Sequence, residues 1–278
     1  MTDSTSDVPD AVAAEFGIAV VPCQVMLGQR RYRDGIDLSP EEFYALLAKS
    51  EEPLRTSGPT VNDFVDAYRR LLDEEEAGRI LSIHVAGTLS GTLNSAWAAR
   101  QTLKEPGRVE LMDSGRVSMG TGWLAVEAAR AAQRGATFEE VAAVARDAMR
   151  RTRVVAMIDT LENIHKGGRI SVFSAALGSA LQIKPLLDIR DGEVLVWGKV
   201  RTRTRALGSL VARVQEWGRL ERVAVVHAGT PELLSELVGR LEEVLPGQEM
   251  MLVPAGSALT SHLGLGAVGV CALMASRE

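Results

Sequence analysis

The sequence predicts an α/β protein of two domains, each a mainly parallel sheet flanked by helices, and three features favour that fold. First, the chain has 278 residues, a length that suits two domains of ordinary size. Second, 46% of its residues are hydrophobic but only 4% are aromatic, as expected for buried strands and helices rich in small aliphatic residues. Third, strand-like runs alternate with helical patterns, which is typical of parallel strands joined by crossover helices.

Six apolar runs are expected to form strands, because short apolar runs between turn signals favour buried strands. In open parallel sheets, ligands bind beyond the carboxyl ends of the strands. Functional residues are therefore expected in the loops that follow the strands. The six runs are Val20 to Leu27, Ile80 to Val85, Val109 to Met112, Val154 to Ile158, Val194 to Trp197 and Val223 to Val226.

Two helices are expected in the middle of the chain. Trp123 to Ala136 and Phe138 to Arg150 carry Ala, Val and Leu at three- and four-residue spacing, and Thr137 with Glu140 predicts a capping box before the second. A basic run and a new strand follow, so we expect an N-terminal domain of residues 1–152 and a C-terminal domain of residues 153–278. No linker rich in Pro, Gly or Ser separates them, which predicts that they pack closely around a cleft.

Charge and cysteine content argue against several classes of protein. The formal net charge is -5, with acidic and basic residues interspersed, so a nucleic acid is not an expected partner. Cys23 and Cys271 are far apart, which predicts two small buried residues and neither a disulfide framework nor a zinc site. The four histidines show no metal-binding spacing. Without a signal peptide or an apolar run of about 18 residues, the chain is expected to be cytoplasmic.

Three hydroxyl-rich segments are candidates for an anion site, but capping of a helix is the favoured interpretation of the first two, and it is matched evenly with an anion site only in the third. They are Thr2 to Asp7, Thr56 to Thr60 and Thr88 to Ser95. The third follows a strand and precedes a helical pattern that begins at Ala96. Hydroxyls and free backbone N–H groups would converge there, at a helix N-terminus whose dipole favours an anion. A carboxylate or a phosphate would fit this segment.

Basic turns and a histidine are further candidates. Lys166 to Ser171 and Lys199 to Arg203 either contact a ligand or form solvated basic surfaces, and neither matches a nucleotide-binding loop. His262 lies in a glycine-bearing loop and either reaches a ligand or packs in the core. Ser90 with His262 suggests a hydrolase or transferase acting on a small carboxylated or phosphorylated substrate, although the nucleophile-elbow pattern Gly-x-Ser-x-Gly is absent.

In their order along the chain, these segments resemble the DegV family, whose members include FakB-type fatty-acid-binding subunits. The resemblance covers nearly every residue and rests on the joint order of short motifs. These motifs are Thr2-Asp3-Ser4-Thr5-Ser6-Asp7, Val20-Val21-Pro22, Tyr32-Arg33-Asp34-Gly35, Phe43-Tyr44, Thr56-Ser57-Gly58-Pro59, Leu89-Ser90-Gly91-Thr92, Asp113-Ser114, Lys166-Gly167-Gly168-Arg169-Ile170, Ile183-Lys184-Pro185, Lys199-Val200-Arg201 and His262-Leu263-Gly264.

The resemblance implies a two-domain α/β fold that buries an acyl chain between and within its domains while hydroxyl groups hold the carboxylate. Thr56 matches the threonine of the family's Thr-Ser-x-Pro loop, and Ser90 matches the serine of its Leu-Ser-Gly-Thr motif. The ligand-binding residues expected on this basis are Thr56, Ser57, Ser90, Gly91, Thr92 and His262.

The resemblance also implies a role without catalysis by the chain itself. A long-chain fatty acid would be the only bound group, with no cofactor, and a separate fatty-acid kinase would phosphorylate its carboxylate to an acyl phosphate. Arg169, Arg201 and Arg203 are the candidates for assisting that step or contacting the kinase. An acyltransferase or a membrane surface would be further, transient partners.

Four positions depart from the family pattern. The chain starts at Met1-Thr2-Asp3, so the family's first apolar strand is expected to be missing. Gly58 stands where Gln is common, Gly87 where Ser is common, and Leu265 where the family usually has Pro. These differences predict a changed head-group geometry and a more flexible loop around His262.

Overall fold

The computed structural model describes residues 1–50, 52, 54–75, 77–161, 163–164 and 183–276. Within these residues, helices and strands alternate through most of the chain, and the α/β class is confirmed. The N-terminal half contains β1 (Thr2–Asp3), α1 (Asp10–Glu15), β2 (Val20–Val21), β3 (Gln24–Leu27), β4 (Arg30–Arg33), α2 (Pro40–Lys49), β5 (Leu54–Ser57), α3 (Val61–Arg69), β6 (Ile80–His84), α4 (Thr92–Gln101), β7 (Val109–Asp113), α5 (Met119–Gln133) and α6 (Phe138–Arg151).

The remaining described elements form the C-terminal half. A short π-helical turn (Arg70–Glu74) follows α3, and 3-10 turns lie at Ser4–Ser6 and Pro106–Arg108. The C-terminal elements are β8 (Thr152–Met157), β9 (Lys184–Arg190), β10 (Glu193–Val200), α7 (Arg203–Gln215), β11 (Leu220–His227), α8 (Pro231–Val244), β12 (Met250–Pro254), α9 (Ser257–Leu263) and β13 (Val268–Met274).

The N-terminal half contains the parallel pairing that the sequence predicts. β1 pairs in parallel with β2, and β6 pairs in parallel with β7. The Ile83 N–H donates to the Met1 carbonyl at 3.0 Å, which places the start of the chain beside β6. Strand β1 occupies Thr2–Asp3 itself, so the expectation that the family's apolar strand before these residues is missing stays a prediction. A separate antiparallel sheet has the order β4-β3-β5.

The C-terminal sheet corrects the prediction of mainly parallel strands. Its order is β10-β9-β8-β13-β11-β12, and of its described pairs only β11 with β12 is parallel. One reason lies in the turn between β9 and β10, where Asp191 and Gly192 have φ values of 54° and 78°. Two successive residues of positive φ build the tight hairpin turn that Asp-Gly favours, and a hairpin makes its strands antiparallel.

Most predicted elements are present, with altered bounds. The run from Val20 to Leu27 forms two strands, because Pro22 lacks a backbone N–H and interrupts the pairing. The second of the two predicted helices begins at Phe138, as expected, and Thr137 with Glu140 forms its capping box. The first begins at Met119, one turn before the predicted start.

The six-stranded sheet places hydrophobic residues on both of its faces. The outer face packs under α7 and α8 through residues such as Val155 and Val270. The inner face joins a cluster that also contains Ile83 and Trp123 from the N-terminal half. The halves pack closely, and their division at residue 152 stays a prediction.

Candidate functional site

A cavity lies between the inner face of the six-stranded sheet and the N-terminal half. Its floor includes one row of residues across four neighbouring strands, Leu187, Ala156, Gly269 and Val226. Two of the smallest residues stand side by side in the middle of this row. Because neither has a bulky side chain, the space above the sheet stays open where a well-packed core would fill it.

Apolar side chains form most of the cavity wall. Val154, Ile189 and Val194 extend the floor, while Leu259 and Leu263 of α9 line the wall from another element. Cys23 and Cys271 also line the wall, and both are buried, as the sequence predicts. A wall of this composition suits a hydrocarbon chain, because it offers contact area and few polar partners.

Polar residues from different parts of the chain meet at the cavity. Thr56, Ser57, Ser90 and His262 all line it. The Thr56 hydroxyl oxygen lies 2.8 Å from Nε2 of His262, which is 206 residues away along the chain. The structure therefore brings together four of the six residues that were expected to bind the ligand.

Thr56 and Ser57 lie at the end of strand β5, whereas we predicted a loop. Thr56 pairs with Val25 of β3, which fixes the backbone of the residue that presents the hydroxyl. The helix that follows is capped by Thr60 with Asp63 in a capping box. The Thr56 hydroxyl is therefore not needed as a helix cap, and it can serve a ligand.

Ser90 is held by the first residue of α4. Its hydroxyl oxygen lies 2.8 Å from the Thr92 hydroxyl oxygen and accepts a bond from the Thr92 N–H at 3.3 Å. Thr92 is buried, and it lies behind Ser90 rather than on the cavity wall. Gly91 is the exposed residue before the helix. Thr92 thus orients Ser90, while Ser90 contacts the cavity.

Gly58 allows the Thr56 and Ser90 segments to approach closely. A Cβ atom at Gly58 would stand 2.7 Å from the Thr92 hydroxyl oxygen and 3.4 Å from its backbone nitrogen. A larger residue could be placed there only if one segment moved. Gly58, which stands where the family commonly has Gln, therefore lies at a tight contact between the segments that carry Thr56 and Ser90.

His262 lies in the last turn of α9, which corrects our expectation of a flexible glycine-bearing loop. Glycines at positive φ follow the helix, with φ values of 78° for Gly264 and 88° for Gly266. Between them, Leu265 packs in a hydrophobic cluster with Tyr44 and Val25. The histidine is thus carried by a helix whose following segment is anchored in the core.

A second group of polar residues is buried next to the cavity. Asp3 Oδ2 lies 2.9 Å from His84 Nδ1, and His84 Nε2 lies 2.6 Å from the Ser82 hydroxyl. Burial acts to raise the pKa of Asp3, but the hydrogen bond and charge of His84 outweigh it and lower that pKa. Because Ser82 and His84 are 0% exposed, this Asp–His–Ser chain is a structural network, and both ring nitrogens of His84 have a partner in it.

Thr5 connects this network to the cavity. Both its backbone N–H and its hydroxyl donate to Asp3 Oδ1, and the residue lines the cavity wall. Because its donors are already used, Thr5 offers a ligand only acceptor lone pairs. Thr56 and Ser90 are therefore better placed than Thr5 to donate to a carboxylate.

Asp7 is a buried carboxyl group that the sequence analysis did not single out. Its Oδ2 accepts from the Ser118 hydroxyl at 2.5 Å, and its Oδ1 accepts from the Gly256 N–H at 2.8 Å. Burial raises the pKa of Asp7 from 3.8 to about 7. The available signal was its place at the end of the polar segment from Thr2 to Asp7.

The raised pKa of Asp7 predicts how stability depends on pH. Between about pH 4 and pH 7, the folded state keeps a proton on Asp7 that the unfolded state has lost, so the free energy of unfolding should fall as pH rises through this range. Urea unfolding at pH 5 and pH 8 should show a smaller fall in Asp7→Asn than in the wild type. Asp10 is a nearby exposed aspartate, so in the control variant Asp10→Asn the free energy of unfolding should fall as much as in the wild type. An equal fall in the wild type, Asp7→Asn and Asp10→Asn would contradict the prediction.

The basic candidates occupy different environments. Arg203 forms a two-pronged contact with Asp159, with nitrogen to oxygen distances of 3.1 and 3.0 Å, and Lys184 contacts the same carboxylate at 2.6 Å. Arg201 is exposed. The Lys166 to Ser171 turn, including Arg169, lies outside the described residues.

Metal and membrane features were searched in the described part of the chain. There, no group of three or more His, Cys, Asp or Glu side chains could hold a metal ion. Among the same residues, none of the helices combines the length and the apolar character needed to cross a membrane.

Comparison with known proteins places this geometry in context. The DegV family model matches residues 1–275. A DegV domain-containing protein of Streptomyces coelicolor is 34% identical over 273 residues, covering 97% of this chain and 96% of the relative. A solved structure of a fatty-acid-binding DegV family protein from Thermus thermophilus is 32% identical, with a TM-score of 0.88 and coverage of 99% and 98%.

A second solved structure agrees with the first. DegV of Bacillus subtilis, described as a fatty-acid-binding protein, is 28% identical to this chain, with a TM-score of 0.88. The match covers 99% of this chain and 98% of that one. The likeness therefore extends over both halves of the chain.

Proposed function

The chain belongs to the DegV family, and we propose that it binds a long-chain fatty acid in the cavity between its halves. The observation that carries this proposal is the meeting of Thr56, Ser90 and His262 at a cavity whose wall is otherwise mostly apolar. The two solved relatives that are described as fatty-acid-binding proteins support it.

Thr56 and Ser90 hold the carboxylate by donating their hydroxyl hydrogens to it. Nε2 of His262 lies 2.8 Å from the Thr56 oxygen. In the tautomer that carries its hydrogen on Nε2, His262 donates to Thr56 and the Thr56 hydrogen is left for the ligand. The Thr92 N–H donates to the Ser90 oxygen. When the Thr92 hydroxyl, 2.8 Å away, is the donor of its contact as well, the Ser90 hydrogen is left for the ligand. Each hydrogen bond to a charged group contributes about 1.5–3 kcal/mol.

The acyl chain lies against the apolar wall above Ala156 and Gly269. Each buried methylene contributes about 0.8 kcal/mol, so a long chain gains on the order of 10 kcal/mol before the costs of ordering it. The acyl chain therefore contributes most of the affinity, and the hydroxyl groups set the orientation of the fatty acid by binding its carboxylate.

The hydrogen bonds favour a binding site over a catalytic one. A serine nucleophile needs a histidine base within hydrogen-bonding reach of its hydroxyl. Ser90 contacts Thr92, whereas His262 Nε2 contacts Thr56. This pairing supports a lipid-binding protein more than a hydrolase or transferase that uses Ser90 and His262.

The bound carboxylate is presented to a separate fatty-acid kinase, which converts it to an acyl phosphate. An acyltransferase or a membrane surface would then receive or supply the acyl chain, and the cytoplasm is the expected location. Arg203 stands near the segment after α9, since a Cβ atom at Gly266 would lie 3.5 Å from one of its guanidinium nitrogens. Arg201 is close in sequence and exposed, so it can meet a partner protein, while Arg169 stays a candidate from the sequence alone.

Arg201→Ala is expected to leave fatty-acid affinity within about twofold of the wild type and to lower the rate of acyl-phosphate formation by about tenfold, the effect of losing one charge-assisted contact to the partner. The assay combines the protein, a loaded fatty acid, ATP and the kinase subunit. Arg240→Ala is the control, because Arg240 is a surface arginine on α8 paired with Glu236. An undiminished rate would remove Arg201 from the proposed partner site.

Native mass spectrometry of protein purified from cells tests the function itself. The expected spectrum contains the chain with one bound acid of long-chain mass, which denaturation releases. Turnover of an added ester that is lost in Ser90→Ala would instead establish the enzyme alternative. Recovery of the ligand-free protein alone, with no uptake of added fatty acid, would overturn the binding proposal.

A further inference from the structure

Helix α9 has no cap of its own. It spans seven residues, Ser257–Leu263, and Gly256 before it supplies no side chain to its first N–H groups. A helix this short is not stable alone, and buried terminal N–H groups need partners. Its stability must therefore come from other parts of the chain.

Two carboxylates of the N-terminal half take the place of the missing cap. Asp34 Oδ1 accepts from the Ser257 N–H at 2.7 Å, and Asp7 Oδ1 accepts from the Gly256 N–H at 2.8 Å. The sequence separations are 223 and 249 residues. We call Asp7 and Asp34 the aspartate clamp.

The aspartate clamp is fixed from its other side as well. The Ser4 hydroxyl donates to Asp34 Oδ2 at 2.8 Å, and the Ser118 hydroxyl donates to Asp7 Oδ2 at 2.5 Å. Both aspartates are buried, with exposures of 4% for Asp34 and 7% for Asp7. Each carboxylate thus has one oxygen for α9 and one for its own half of the chain.

The fit between the aspartate clamp and α9 is close. A Cβ atom at Gly256 would lie 3.1 Å from an oxygen of Asp34 and 3.2 Å from an oxygen of Asp7. Even a methyl group at this position would therefore push against both carboxylates. A side chain at this position would therefore require the two carboxylates to move by a few tenths of an ångström.

The opposite end of α9 carries the head-group histidine. His262 meets Thr56 in the last turn, while Ala258, Leu259 and Leu263 line the cavity. Because a helix transmits a displacement of one end to the other, the position of its first turn sets the position of His262.

We infer that the aspartate clamp is the positioning element of the carboxylate site: Asp7 and Asp34 hold α9 so that His262 meets Thr56. This inference rests on the proposed function for its effect on fatty-acid binding. The contact between His262 and Thr56 can be tested without any ligand. In this arrangement, Asp34 is a positioning residue that acts through His262.

NMR of the histidine side chains in the full-length, ligand-free protein tests the inference. Thr56→Val removes the hydroxyl partner of His262 and so provides the imidazole chemical shifts of His262 without that contact. Asp34→Ala should change the chemical shifts of His262 to the same values. Asp34→Asn should keep the wild-type signal, because its side-chain oxygen still accepts from Ser257. Asp37→Ala is the control, since Asp37 lies on the surface and pairs with Arg33.

Fatty-acid affinity supplies the second measurement. Asp34→Ala should weaken binding about tenfold in the wild-type background, and less than about twofold further once His262→Ala is present. Gly256→Ala is expected to act like Asp34→Ala, and it replaces that variant if Asp34→Ala fails to fold.

The outcomes separate the inference from the proposed function. An unchanged His262 signal in Asp34→Ala and Gly256→Ala would overturn the inference, whatever the ligand does. Equal losses of affinity with and without His262 would also overturn it, because the clamp would then act elsewhere. A shifted signal with undiminished affinity would support the aspartate clamp and contradict the head-group role of His262.

Discussion

The double variant Thr56→Val, Ser90→Ala is expected to bind long-chain fatty acids at least about 100-fold more weakly than the wild type. Each lost hydrogen bond to the carboxylate is worth about 1.5–3 kcal/mol, and about 1.4 kcal/mol corresponds to a factor of ten. Displacement of a fluorescent fatty acid at neutral pH measures the affinity. The double variant should stay folded, with a fall of about 1 kcal/mol in the free energy of unfolding, because Ser90→Ala removes the acceptor of the Thr92 N–H at the start of α4.

Two controls make this result specific. Ser235→Ala removes a hydroxyl that donates within α8 to the Pro231 carbonyl, far from the cavity, and should leave affinity unchanged. A long-chain alcohol should lose less affinity than the acid in the double variant, because it has no charged group to hold. Unchanged affinity for the acid would contradict the assignment of Thr56 and Ser90 to the carboxylate.

Ala156→Phe is expected to weaken binding of a long-chain acid about 100-fold while affecting a short-chain acid much less. Ala156 lies in the central strand β8 but is only half-buried, because its methyl group faces the cavity. A phenyl ring there would displace about four methylenes of the ligand, at about 0.8 kcal/mol each. Affinities for a series of acids of increasing length measure the effect.

The control for this variant is a phenylalanine added elsewhere on the same sheet. Leu252 of β12 is 52% exposed, so Leu252→Phe should not change affinity for any chain length. Ala156→Phe should also unfold at the same denaturant concentration as the wild type or higher, because the ring fills space. Equal affinity for long acids in the wild type and in Ala156→Phe would place the acyl chain away from this row.

Much of the fold follows from local sequence patterns. Capping boxes at Ser39, Thr60 and Thr137 mark the starts of three helices, and a helix start of this kind depends on residues only three positions apart. Of these, the capping box at Thr137 was predicted, and strand β6 was predicted close to its observed place. These elements carry their signals within a few neighbouring residues.

The C-terminal sheet shows what local patterns leave out. Whether neighbouring strands run parallel depends on which strands meet, and the pairing of β13 with β8 joins residues more than 100 positions apart. The Asp191-Gly192 turn was the one short-range signal for antiparallel pairing, and it went unused because the strand before it was not predicted. An antiparallel sheet can also carry helices on both faces, as this one does with α7 and α8 on one face and α5 on the other.

The candidate site, too, contains residues that the sequence identified and features that depend on distant parts of the chain. The hydroxyl groups of Thr56 and Ser90 could be selected from the sequence because resemblance to the family identified them. The helix under His262 could not be predicted, since α9 is short and depends on Asp7 and Asp34 from the other half of the chain. Alternation alone also could not show that Ala156 and Gly269 would stand side by side.

A crystal structure of the protein purified from cells tests the central claim most directly. We predict elongated density in the cavity, with its head within hydrogen-bonding distance of the Thr56 and Ser90 hydroxyls and its tail passing over Ala156 and Gly269. Density with the opposite orientation, or an ordered side chain of the protein filling this space in a crystal soaked with fatty acid, would contradict the claim.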